Sequence, residues 1–241
     1  MDLRDALARG FDDFWAMPSH VVFVSLIYPI AGIVLAGFIF GYNVLPLLYP
    51  LATGFALLGP LAAIGLYELS RRREQGLPTD WKYAFEVLRS PAIASIAALG
   101  GLLLVIFLSW LASAQALYVW LYGYAAPVSL TAFVYEVLTT SRGWTLILIG
   151  NAIGLVFAIV VLAISVISFP LLLDRDVGAA VAVHTSIKAV MLNPMAMAVW
   201  GVIVATLLVI GSVPAFVGLA VVMPVLGHGT WHLYRRVVAE E

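Results

Sequence analysis

Four histidines, one carboxylate at the end of an apolar run and two arginine clusters carry whatever chemistry this chain could perform. His228 and His232 stand four positions apart in GLAVVMPVLGHGTWHLYRR (Gly218–Arg236). On a helix they share one face, a spacing compatible with metal ligation. A haem would instead draw axial histidines from two helices, such as His20 with His228. Neither His-rich clustering nor an evident carboxylate partner accompanies them. The expectation is therefore that His20, His184, His228 and His232 lie at lipid-headgroup depth, bonded to backbone or lipid, and that no cofactor is held. Cysteine is absent, which removes disulfides, thiolate metal sites and cysteine nucleophiles. With no Gly-rich phosphate loop, nucleophile elbow or HExxH motif either, no catalytic residue is assigned and the chain reads as a non-enzyme.

Glu68 is the carboxylate nearest the membrane interior, one helical turn before Arg71 and Arg72. Its expected role is an i,i+3 or i,i+4 ion pair that keeps a helix end neutral at the interface. A proton relay would need ionisable partners at mid-bilayer, whereas the apolar runs hold only Ser, Thr, Asn151 and tyrosines, which argues against ion-coupled transport. Arg71, Arg72 and Arg73 would join Arg235 and Arg236 in one basic cluster if the two helices carrying them adjoin. Such a cluster is a surface for anionic lipid headgroups or a partner, at about 1 kcal/mol per basic residue.

The elements that must position these residues are membrane helices. The chain of 241 residues is 63% hydrophobic and 10% charged, with a mean hydropathy of +1.08. Soluble domains carry about 25% charged residues, so this composition is that of a polytopic membrane protein, with no room for a sizeable soluble domain and no signature of nucleic-acid binding. The N-terminus is acidic and amphipathic, so the first apolar run is expected to stay as a signal anchor.

The pattern predicts an interfacial helix over Leu3–Met17, with Leu3, Leu7, Phe11, Phe14 and Trp15 toward one side, broken at Pro18. Six spans follow, at Val21–Phe40, Leu47–Leu69, Ala92–Ala112, Thr145–Phe169, Met195–Ile210 and Ala215–Leu233. Amphipathic stretches Leu77–Ser90 and Val177–Leu192 end at Pro91 and Pro194. The region Gln115–Trp144 reads as an extension of the third span plus an interfacial helix around Ser129–Thr139. The fold class is thus all-α: a polytopic transmembrane helical bundle of about six spans, as three helical hairpins each preceded by an amphipathic cytoplasmic segment. It forms a single integral membrane domain over 1–241, with hairpin units near 1–76, 77–176 and 177–241.

An internal likeness supports that repeat. At a constant offset of 164 residues Gly54 aligns with Gly218, Pro60 with Pro224, Gly65 with Gly229, Leu69 with Leu233, and Arg71 and Arg72 with Arg235 and Arg236. Tyr67 falls on Trp231, while Ile64 and Glu68 stand where His228 and His232 stand. The copies share a proline-bearing span with an aromatic, basic exit, so anything chemical about the two histidines is particular to the last helix. In this topology Arg142 alone among the basic residues lies outside, and the positive-inside rule puts both termini in the cytoplasm.

Four segments in order, GPLAAIGLYELSRRREQG (Gly59–Gly76), FPLLLDRDVG (Phe169–Gly178), NPMAMAVWG (Asn193–Gly201) and LGHGTWHLYRR (Leu226–Arg236), resemble a family of bacterial integral membrane proteins, domain of unknown function 2189. The resemblance implies a bacterial inner membrane and supplies no activity or site residues. Compact hairpins without buried ionisable groups favour an accessory subunit, scaffold or assembly factor of a larger, bioenergetic complex, with other membrane subunits as partners. The alternatives are a small-molecule or lipid transporter or lipid-handling protein, and a haem- or metal-binding membrane protein.

Overall fold

The protein is described from a computed structural model, over residues 3–17, 42–125, 127–214 and 217–238. Among the described residues every regular element is a helix. Four of them, Leu45–Glu74, Ile93–Tyr122, Ser141–Asp174 and Pro194–Ser212, are long and apolar enough to cross a membrane. They match the second to fifth expected spans. The first, Val21–Phe40, lies outside the described residues, as do Pro18 and His20. The sixth is the helix Leu219–Val237, whose last turns carry His228, His232, Arg235 and Arg236, and it is not among those four.

Prolines explain where the long helices are irregular. Pro60 has no N–H to return to Ala56, and Ala56–Leu58 tightens into a 3-10 turn between Leu48–Phe55 and Gly59–Ala62. Ahead of Pro170 the helix Ser141–Ser165 gives way to a separate short helix, Ser168–Asp174. At that break the Ile167 N–H donates to Ser186 Oγ at 3.2 Å, on the helix Ala179–Leu192. Pro224, by contrast, sits inside an unbroken helix. The helix expected near Ser129 is present as Leu130–Thr139, with Ser129 Oγ capping its N-terminus by accepting from the Ala132 N–H. The stretch after Gly76 forms a 3-10 helix, Trp81–Arg89, with Trp81, Phe85 and Leu88 exposed and Val87 buried.

The chain divides into two compact units. One comprises residues 29–58 and 102–161. There Trp110 is buried, its Nε1–H donating to the Pro50 carbonyl at 2.9 Å, which satisfies an acceptor that apolar surroundings would otherwise leave costly. The Tyr49 hydroxyl donates to Asn151 Oδ1 at 2.7 Å, so Asn151 bonds between helices as its type suggests. At the far end of Ile93–Tyr122 the rings of Tyr118 and Tyr122 stack 5.1 Å apart, with the Arg142 guanidinium 5.5 Å over Tyr122.

The other unit comprises residues 1–28, 59–101 and 162–241, and holds His184, His228, His232 and both arginine clusters. Here the N-terminal helix, Leu3–Ala16, departs from expectation. It is packed along the terminal helix Leu219–Val237, by a face other than the one its bulky side chains suggest. The side it buries is Ala6, Gly10, Asp13 and Phe14, while Phe11 and Trp15 remain exposed. Gly10 permits this, because a Cβ there would fall 2.6 Å from Gly229 N and 2.7 Å from the Val225 carbonyl oxygen. Side-chain bulk, the basis of the amphipathic reading, gives way to backbone approach at two glycines.

Candidate functional site

Backbone contact between these helices brings a carboxylate into the protein. Asp13 is buried, one turn beyond Gly10 on the face turned to the terminal helix. Its Oδ2 stands 2.9 Å from His232 Nε2 and 2.5 Å from Ser70 Oγ. Ser70 Oγ in turn stands 2.7 Å from His228 Nδ1. Arg73 Nη1 pairs with the other oxygen, Asp13 Oδ1. Ser70 and Arg73 come from the last turns of Ile64–Glu74, so three helices meet on one side chain.

An ionised carboxylate only accepts, so His232 carries a proton on Nε2. Ser70 has a single hydrogen, placed between Asp13 Oδ2 at 2.5 Å and His228 Nδ1 at 2.7 Å. Ser70 and His228 have no exposed surface. Burial alone would raise the Asp13 pKa, but hydrogen bonds from His232, Ser70 and Arg73 outweigh it and hold the carboxyl below its ordinary value.

The cluster continues outward as ion pairs. Glu74 lies 3.7 Å from His232 Nδ1 and 3.3 Å from Arg235 Nε. Arg235 Nη1 reaches Asp174 at 3.5 Å, and the Tyr234 hydroxyl donates to the same carboxylate at 2.6 Å. Arg236 pairs with Asp5, which also accepts from Arg9 Nε at 2.9 Å. On the other side Arg71 Nη1 donates to Glu68 Oε2 at 2.8 Å, with Arg72 3.9 Å from Glu68 Oε1. Arg72 also meets Glu86 at 2.5 Å, donates to the Pro78 carbonyl, and stacks 4.1 Å over the Tyr83 ring.

The structure thus brings together most of the residues singled out from sequence, in changed roles. Helices bearing Arg71–Arg73 and Arg235–Arg236 do adjoin, but each of these arginines is paired with a carboxylate, so the ends form a mixed-charge network and not a bare basic patch. His228 and His232 share a face and do have a carboxylate partner, Asp13, which is 219 positions from His232. Glu68 lies between Arg71 and Arg72 as its spacing suggests. His20 lies outside the described residues, so its pairing with His228 does too. Among the described residues no group of three or more His, Asp or Glu side chains is placed to hold a metal ion. Sequence reasoning missed Asp13, Ser70 and Glu74. The available signal was an aspartate beside Phe14, on the small-residue side of a helix otherwise read by its bulky side chains.

No curated protein and no solved structure matches this chain. A family model described as predicted integral membrane protein (DUF2189) matches residues 48–174, just over half of it. The matched stretch includes Glu68, Ser70 and Arg71–Arg73, and stops short of Asp13, His228 and His232. Of the four helices long and apolar enough to cross a membrane, it contains Ile93–Tyr122 and Ser141–Asp174 whole and all but the first three residues of Leu45–Glu74. The chain accordingly belongs to the DUF2189 family of predicted integral membrane proteins.

Proposed function

We propose that this protein is a non-enzymatic accessory subunit, scaffold or assembly factor of a larger membrane complex, in a bacterial inner membrane with both termini in the cytoplasm. The observation that carries this reading is the Asp13 cluster. Its polar groups are spent on one another and fasten the N-terminal helix to two others, a structural lock and not a reaction centre. Large apolar side chains face outward along the long helices, among them Leu104, Val105 and Leu108 on Ile93–Tyr122 and Val199, Val202 and Val209 on Pro194–Ser212. Lipid and neighbouring membrane subunits are the surroundings such faces suit. The six spans and the three-hairpin repeat belong to the same reading. They are supported by the offset of 164 residues and by the way both copies bury the residues just ahead of their arginines, Leu66–Ser70 and Val225–Tyr234.

Purification from the source membrane in a mild detergent tests this directly. Stoichiometric membrane partners are expected to co-purify, and a clean monomer or self-oligomer would count against the scaffold role. The lipid-handling alternative is favoured by a single feature, an arginine-lined pocket beside His232.

A further inference from the structure

Next to the Asp13 cluster is an open pocket of about 420 Å³, lined by Arg9, Glu74, His232, Arg235 and Arg236. We propose that this pocket binds a phosphate group, with Arg9, Arg235 and Arg236 as its ligands. Arg9 Nε and Arg236 Nη2 converge on the same atom, Asp5 Oδ2, although they come from opposite ends of the chain. Each guanidinium presents about five N–H donors, and one carboxylate cannot accept them all or balance two charges. Arg235 is held at the rim through Glu74 and Asp174. The lining is three guanidinium groups, one imidazole and Glu74, with Asp5 shared by Arg9 and Arg236 and Asp174 beside Arg235. Forked donors of this kind match the oxygens of a phosphate better than a point charge would.

A neighbouring pocket of about 370 Å³ serves as an internal contrast. Its charged lining is Glu68, Arg71, Glu86 and Arg89, two of each sign, so it offers an anion no excess of positive charge. Position favours the first pocket as well. Arg9 lies on the N-terminal helix, whose outward aromatics Phe11 and Trp15 suit the headgroup boundary, where lipid phosphates lie. The ligand chemistry is a phosphate group, carried by an anionic phospholipid or free in the cytoplasm. This inference rests on the chain's being an integral membrane protein, not on the scaffold role, and the partner experiment and the one below can fail separately.

The test is thermal unfolding of the purified full chain in detergent, titrated with phosphatidic acid, phosphatidylglycerol, phosphatidylcholine or inorganic phosphate. Anionic lipid is expected to raise the unfolding temperature where phosphatidylcholine, whose phosphate charge is balanced by its own choline, does not. Arg9→Gln and Arg236→Gln should each weaken the apparent affinity about fivefold. Asp5→Asn, which removes the competing carboxylate, should strengthen it. A shift produced equally well by inorganic phosphate alone would identify a free phosphate compound as the ligand. Equal shifts with phosphatidylcholine, or affinities unchanged in the arginine variants, would overturn the site. If those variants do not fold, Asp5→Asn decides, since failure to tighten binding refutes the proposal.

Discussion

Asp13 and His232 stand 219 positions apart and meet at 2.9 Å, with Ser70 and Arg73 closing on the same carboxylate. Removing that charge leaves Arg73 and His232 without their buried partner. Breaking such a pair costs about 3 kcal/mol or more. Asp13→Ala is therefore expected to lower the unfolding temperature in detergent markedly and to expose the Leu3–Ala16 helix to protease before the rest of the chain opens.

Gly10 tests the same interface through its backbone. Gly10→Ala places a methyl group 2.6 to 2.8 Å from Gly229 and Val225 backbone atoms, which cannot swing aside as a side chain could. The helices must separate, and a loss of about 1–3 kcal/mol is expected. Gly59→Ala is the control, because no atom lies within 4 Å of the added methyl. There, a neutral or slightly stabilising effect is expected from reduced unfolded-state freedom. Equal effects at the two glycines would refute the backbone-contact account.

The response to acid follows from Asp13. Its folded pKa lies below the ordinary 3.8 because hydrogen bonds from His232, Ser70 and Arg73 overcome the cost of burial. A carboxylate depressed on folding contributes stability that is present above its unfolded pKa and lost as pH falls through the folded value. The difference in unfolding temperature between wild type and Asp13→Asn should hold steady from neutral pH down to that ordinary value, then shrink below it. A difference that does not narrow in acid would show that Asp13 is not ionised in the folded protein.

Arg72 and Lys82 allow a comparison of enclosed and open ion pairs. Arg72 joins Glu86, the Pro78 carbonyl and the Tyr83 ring, tying the segment after Gly76 to the helix end. Lys82 and Asp80 are 3.6 Å apart and both exposed. Arg72→Gln should make Leu77–Ser90 the first site of limited proteolysis, and Arg72→Lys should rescue poorly because the fork and the stacking are lost. Asp80→Asn should shift stability by less than about 0.5 kcal/mol.

Much of the architecture is legible in the sequence because lipid imposes a simple rule: backbone polar groups must be satisfied within a span, so long uncharged runs become helices. Leu45–Glu74, Ile93–Tyr122, Ser141–Asp174 and Pro194–Ser212 lie where hydropathy places them, Pro194 opens the last of them, and a serine cap opens the shorter helix Leu130–Thr139. The Glu68 pairing was readable too, since three or four residues along a helix bring side chains together whatever else the chain does.

The candidate site was legible only in pieces. His228 and His232 stand out by spacing, and the arginine clusters by charge, but the group that organises them is an aspartate in a helix whose bulky residues suggested another orientation. Composition and periodicity by themselves determined a membrane-embedded, all-helical chain with charged helix ends, because those follow from solvation and local geometry. Which helix ends meet, and that Gly10 against Gly229 lets Asp13 reach Ser70, Arg73 and His232, was decided only in the tertiary structure. The physical reason is range: contacts across two hundred residues depend on how closely two backbones can approach, and no local pattern records that.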